Sequence, residues 1–290
     1  MSSPPLDPQW LDAQYNNRAR VAGAWDLIAR WADDSAAART RLHGRLDLRY
    51  GEGAKETLDA FLPKRGAADA RGAGAPVLVF IHGGYWRSLD KADHSFVAEA
   101  FTREGALVVM PNYDLCPQVS IEEIALQCTR AVAWTWRHAD ELGADRRRFV
   151  VAGHSAGGHL AAMLACCDWS RVDPTMPRHP LLGTLAVSGL FDLEPVSRAP
   201  YLADLNLKPA SVPRLSPARF PAPRGPVYAV AGGEESEEFI RQNGLLRQAW
   251  GEAAVPVSET LAGFNHFTIL DDLAQPAGRL HALAWQLLQR

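Results

Sequence analysis

The 290-residue chain has few cysteines, no long apolar run and no excess of charge of one sign, and each shortage narrows what it can be. Its four cysteines are Cys116, Cys128, Cys166 and Cys167. None makes a C-x-x-C pair, and the adjacent Cys166 and Cys167 are poorly placed to bridge each other. These two close the apolar run Ala161-Ala162-Met163-Leu164-Ala165, where a free thiol packs as a small core residue. That usage suits a reducing compartment. No apolar run approaches the ~20 residues that span a bilayer. Residues 1–10 carry neither the basic nor the apolar region of a secretory leader, so the expected setting is the cytoplasm, without a membrane partner. A net charge of -3 and a pI near 6.3 argue against a nucleic-acid partner. The local run Arg146-Arg147-Arg148 reads as a solvated turn between a helix and an apolar strand. No H-x-x-x-H or H-E-x-x-H spacing occurs, so no metal is expected, and no cofactor motif is visible.

What is present is an ordinary globular composition, 47% hydrophobic and 22% charged. A chain this long buries roughly 75% of the surface its unfolded form exposes, enough for one core without staples. Residues 7–42 read as a helical extension, with Trp10, Tyr15, Val21, Trp25, Ile28 and Trp31 at helical spacing. That stripe is expected to face the core rather than to cover a cleft. Residues 46–50 and 57–62 alternate as half-buried antiparallel strands do. The runs 76–81, 106–110, 149–152, 184–187 and 227–231 are almost wholly apolar, as strands of a parallel sheet covered on both faces must be. Residues 257–261 form a weaker last strand. Helical stretches lie between them at 91–104, 120–142, 159–166, 237–250 and 277–288. This alternation predicts one α/β domain over residues 1–290, its mostly parallel sheet of about eight strands flanked by helices on both faces. Residues 194–226 break the rhythm with eight prolines. Proline resists regular elements, so an irregular insertion is expected here, either a plain surface loop or a cover for the active site.

The chemistry is written most clearly at Gly153-His154-Ser155-Ala156-Gly157, a G-x-S-x-G sequence between an apolar strand and an Ala-rich helix. That context marks a nucleophile elbow, in which a sharp turn leaves no room for Cβ atoms beside a strained serine. The helix dipole behind the serine favours developing negative charge. Upstream, His82-Gly83-Gly84-Tyr85-Trp86 also follows an apolar strand and matches the oxyanion-loop type H-G-G. Acyl transfer needs N–H donors aimed at the oxygen that becomes negative. The donors are assigned to the backbone N–H groups of Gly84 and Tyr85, with Gly83 left open, joined by Ala156.

Ser155 needs a base. His266 follows the last strand and precedes a C-terminal helix, where the order Ser, acid, His places it. His82 and His154 belong to the motif loops, with His154 at the substrate pocket. A packing role is preferred over a second-base role for His159, while His43, His94, His138, His179 and His281 have no motif context. The acid should follow the strand 227–231, in Gly232-Gly233-Glu234-Glu235-Ser236-Glu237-Glu238. Glu237 and Glu238 read as the first turn of a helix capped by Ser236. Asp192, after an earlier strand, is the outsider, and spacing does not separate Glu234 from Glu235.

The segment His82-Gly83-Gly84-Tyr85-Trp86 resembles the HGGxW motif of kynurenine formamidases (arylformamidases), which belong with the hormone-sensitive-lipase-like esterases of the α/β-hydrolase fold. Those esterases usually carry a third glycine where this chain has Tyr85. The resemblance continues through Gly153 to His159, Ser188-Gly189-Leu190-Phe191-Asp192 and Glu235 to Gln242, covering residues 46–267. It implies that the acid is Glu235, where many members have aspartate, completing a triad with Ser155 and His266. It also implies hydrolysis of an aryl formamide, typically N-formyl-L-kynurenine. Tyr85 and Trp86 would crowd the pocket and favour formyl or acetyl groups. Two alternatives stand: a short-chain carboxylesterase with the same machinery, and a non-catalytic binder of small molecules on the same scaffold. A homodimer is compatible with either.

Overall fold

A computed structural model of the chain describes residues 7–64 and 74–290. Residues 1–6, part of the segment read above as free of a leader, lie outside the described residues. Eight strands form one sheet: β1 (Gly44–Arg49), β2 (Thr57–Phe61), β3 (Ala75–Ile81), β4 (Leu107–Pro111), β5 (Ala144–His154), β6 (Leu181–Val187), β7 (Val227–Gly232) and β8 (Val257–Leu261). Their order is β1-β2-β4-β3-β5-β6-β7-β8. The pairs β1–β2 and β2–β4 are antiparallel, and all later neighbours are parallel.

The continuous apolar runs are explained by cover on both faces. Val77, Val79 and Ile81 of β3 pack in one core, under the helices α5 (Ile121–Arg137) and α6 (Ala156–Ala165). Leu78 and Phe80 point the other way, into a core with α3 (Ala24–Arg41), α4 (Ala98–Arg103), α9 (Ile269–Ala274) and α10 (Arg279–Leu288). Alternate residues of one strand thus fill two cores, as a period of two requires.

Several expectations need correction. The N-terminal extension is helical in three pieces, α1 (Pro8–Tyr15), α2 (Asn17–Arg20) and α3, which follow in turn. Asn16 caps α2 by accepting from Ala19 N–H, and Gly23 is left-handed at φ 71°, so the path turns between α2 and α3. The aromatic stripe is consequently split: Tyr15 and Trp31 are buried, but Trp25 is 64% exposed. The arginine run is not a turn. It lies inside β5, beside a register shift opposite β3, with Arg147 exposed. β1 is an exposed edge strand rather than a half-buried one, and Cys166 and Cys167 are only partly buried because α6 ends at Ala165. The Pro-rich segment is less irregular than expected. It holds α7 (Glu194–Arg198) and short 3₁₀ turns at Pro200–Leu205, Val212–Leu215 and Pro217–Arg219. Each carries proline in its first turn, where a fixed φ and a missing N–H cost nothing. The last helix of the set, α8 (Glu237–Trp250), is capped by Ser236, which accepts from Phe239 N–H.

Candidate active site

Strand β5 ends at His154 and α6 begins at Ala156, leaving Ser155 alone between them at φ 57°, ψ -119°. A non-glycine residue in so sparse a region costs on the order of 1–3 kcal/mol and persists only where its surroundings fix it. Here Ser155 N–H donates to Val187 C=O at 2.8 Å, tying the turn to β6. The flanking glycines are required by distance: a Cβ on Gly153 would meet Gly157 O at 2.1 Å, and one on Gly157 would meet Ile81 O at 2.0 Å. Strand and helix approach each other so closely that the serine is pushed out at the strand's carboxyl end.

Three side chains then line up. Ser155 Oγ–H donates to His266 Nε2 at 3.0 Å, and His266 Nδ1–H donates to Glu235 Oε2 at 2.6 Å. The other carboxylate oxygen of Glu235 accepts from Ser188 Oγ–H at 2.5 Å and from Gly232 N–H at 2.7 Å. Glu235 is acceptor-only, so the imidazole proton sits on Nδ1 and Nε2 is left free to accept. His154 Nε2–H donates to the backbone carbonyl of His266 at 2.8 Å. Burial, then the neighbouring His266 and His94, hold His154 well below the ordinary imidazole range, so it is neutral at pH 7. A hydroxyl, an imidazole and a buried carboxylate in this order can take a proton from the hydroxyl and stabilise the resulting imidazolium.

The loop after β3 supplies the facing wall. Gly84, Tyr85 and Trp86 all have positive φ, at 106°, 51° and 56°. Among the described residues, no acceptor receives the backbone N–H of Gly84, Tyr85 or Ala156. The loop is braced from outside: Tyr85 O–H donates to Tyr15 C=O at 2.6 Å, and Tyr113 O–H donates to His82 C=O at 2.9 Å. His82 stacks on Tyr113 with ring centroids 4.2 Å apart, and burial lowers its pKa to about 3.

Ser155 and His266 open into a cavity of about 390 Å³, a figure that includes space open to solvent. Gly84, Tyr85 and Leu89 line one side, His154 and Phe267 another, and Tyr201 of the Pro-rich segment a third. Asn17, Arg18 and Trp31, from the N-terminal segment, complete the wall.

Ser155, His266, Gly84, Tyr85 and His154 therefore meet at one cavity, with Glu235 behind His266. Trp86 and Gly83 are not among the lining residues. Trp86 is fully buried in the core under α5 and α6, edge-on to His159 at 5.0 Å. The pocket position expected of it is thus corrected. Glu234 is exposed. Asp192 pairs with Arg219, and His159 Nε2–H donates to Leu215 C=O rather than to Ser155. Sequence reasoning missed Ser188 as a partner of the acid, although its quoted motif begins there. It also missed Asn17, Arg18 and Tyr201, for which no motif exists. Among the described residues no cluster of three or more His, Cys, Asp or Glu side chains could hold a metal ion, and no helix is long and apolar enough to cross a membrane.

An eight-stranded, mostly parallel sheet with an elbow serine at a strand's carboxyl end defines the α/β-hydrolase fold, and the chain is a serine hydrolase of the esterase type. The BD-FAE family model matches residues 58–180. The kynurenine formamidase of Danio rerio is 29% identical over 94% of this chain and 92% of its own length. A solved structure described as a candidate thioesterase, from a Silicibacter species, is 33% identical, covers 95% of this chain and 98% of its own, and superposes with a TM-score of 0.81. Esterase B of Lactobacillus rhamnosis, 18% identical over 94% of this chain and 96% of its own, shares the fold with a TM-score of 0.68. The chain is thus similar to kynurenine formamidases over nearly its whole length and to esterases of the α/β-hydrolase fold.

Proposed function

We propose that this chain removes small acyl groups from aryl amides and esters, with N-formyl-L-kynurenine its principal substrate and Ser155, His266 and Glu235 its catalytic residues. The observation that carries the proposal is the unbroken relay from Ser155 Oγ through His266 to Glu235, at 3.0 Å and 2.6 Å, on the floor of an aromatic-walled cavity. Ser155 Oγ attacks the acyl carbon as its proton passes to His266 Nε2. Glu235 stabilises the imidazolium, held in place by Ser188 and Gly232. The N–H groups of Gly84, Tyr85 and Ala156 receive the oxyanion, which is why they need no protein acceptor. His266 returns the proton to the leaving amine or phenolate, leaving an acyl ester on Ser155. Water then attacks that ester, giving its proton to Nε2, and the acid and the free serine are restored.

The bulk of Tyr85 and Leu89, among the residues that line the cavity with Ser155, favours a small acyl group. The relatives named kynurenine formamidase favour the formyl group and the aryl amine. The test is kcat/KM for N-formyl-L-kynurenine beside p-nitrophenyl acetate on one preparation. A clear preference for the formamide supports the full proposal. Ester cleavage with negligible deformylation refutes the formamidase part and leaves a short-chain esterase.

A further inference from the structure

The cavity above Ser155 has a cationic corner that the reaction itself does not use. Arg18 is the cationic side chain among the lining residues. It spends one N–H on Ser88 Oγ at 2.8 Å, and its guanidinium stacks 4.8 Å above the ring of the exposed Trp25. No carboxylate pairs with it among the described residues. Two other arginines of the same segment are paired, Arg30 with Asp271 and Arg41 with Glu99, while Arg20 is exposed and does not line this cavity. Beside Arg18, Asn17 is 4% exposed and borders the same cavity, and its Nδ2–H₂ has no hydrogen-bond partner among the described residues. A buried amide donor with no acceptor is a destabilising feature unless something else supplies the acceptor. A guanidinium fork left open next to it matches a planar carboxylate, which accepts several N–H bonds at once.

We infer that the side chains of Asn17 and Arg18 form an anion subsite, so that the preferred substrates carry a carboxylate remote from the scissile bond. This rests on the reading of Ser155 as nucleophile. The subsite and the reacting serine are bridged by Tyr85, Tyr201 and Phe267, whose rings suit an aryl group between the two ends. Ser88 joins the corner to the oxyanion loop, since it accepts from Arg18 and donates to Gly84 C=O at 2.9 Å.

The probe pair is 3-(4-acetoxyphenyl)propionate and its primary amide, aryl acetates with the same phenolic leaving group and differing in the remote charge. The carboxylate should be preferred in kcat/KM by about tenfold or more, the scale of a charge-assisted hydrogen bond, chiefly through KM. Arg18→Gln should remove that preference, and Asn17→Asp, nearly isosteric but like-charged, should reverse it. Arg20→Gln, altering an exposed cation of the same helix, should leave the ratio as in the wild type. A wild-type enzyme that cleaves the amide as well as the carboxylate overturns the inference, as does an unchanged ratio in Arg18→Gln. Failure of the underlying reading looks different: neither ester is cleaved, and a fluorophosphonate does not label Ser155.

Discussion

Replacing Glu235 by glutamine removes one charge and almost no volume, and the structure dictates how the new amide must lie. Gly232 N–H, 2.7 Å from one carboxylate oxygen, can only donate. The amide oxygen must therefore stay at that position, and the NH₂ group must face His266 Nδ1, where the other oxygen now accepts at 2.6 Å. An NH₂ facing Nδ1 forces the imidazole proton onto Nε2. Nε2 then donates toward Ser155 Oγ instead of accepting from it, and the hydroxyl has lost its base. The expected loss in kcat is on the order of 10⁴, or about 5.5 kcal/mol of transition-state stabilisation. The assay is p-nitrophenyl acetate hydrolysis at saturation, with thermal unfolding on the same samples to show that the fold survives. Glu234→Gln, at the exposed position immediately before Glu235, should stay within about twofold of wild type. A Glu235→Gln enzyme within tenfold of wild type would refute the tautomer argument, and equal losses at 234 and 235 would refute the assignment of the acid.

Three further outcomes are expected. Ser155→Ala should lower turnover about a million-fold while leaving the melting temperature near that of wild type, measured by single-turnover kinetics and calorimetry. Gly157→Ala should cost several kcal/mol, at least ~3, in denaturant unfolding, because its Cβ would sit 2.0 Å from Ile81 O and neither strand nor helix can yield. Acid should destabilise the protein early: burial lowers the His159 pKa from its ordinary 6.5 to about 4. The unfolded chain then binds the extra proton between those values, so this stability is complete above about pH 6.5 and is lost as pH falls toward 4. His159 alone accounts for about 3 kcal/mol of that loss. Because the buried His82, His94 and His154 are lowered too, His159→Gln should reduce the slope of the unfolding free energy over this window without abolishing it. A slope unchanged from wild type would contradict the buried neutral state.

Much of this was legible because the strongest signals are local. Seven of the eight strands were placed within a few residues, the central ones because a strand covered on both faces is almost wholly apolar and so announces itself in sequence. The polar first half of β5, from Ala144 to Arg148, was instead read as a turn. The elbow was equally legible, because the glycine spacing reports a backbone collision between β5 and α6. What failed depended on contacts distant in the chain. Trp86 reads as a pocket residue beside the oxyanion loop until its burial in the core against His159 shows that it points inward. Proline was read as a breaker across residues 194–226, yet at the first position of a short turn it starts a helix. The role of Ser188 follows from Glu235, 47 residues later, and no periodicity connects them. Asn17 and Arg18 sit in a helix of four residues that has no pattern of its own.

The walls of the cavity come from the two ends of the chain and its middle. Tyr15 reaches Glu238 across 223 residues, Asp12 meets Tyr201 across 189, and His154 holds His266 across 112. Each of these closures pays a loop entropy that only the finished sheet can offset. During synthesis the serine emerges long before its base, its acid and the carbonyl clamp on that base exist together. A ribosome-bound chain therefore carries an ordinary, unreactive hydroxyl at position 155. With the triad proposed above, hydrolysis requires all of these closures at once, so the return of esterase activity on refolding should lag behind the recovery of secondary structure.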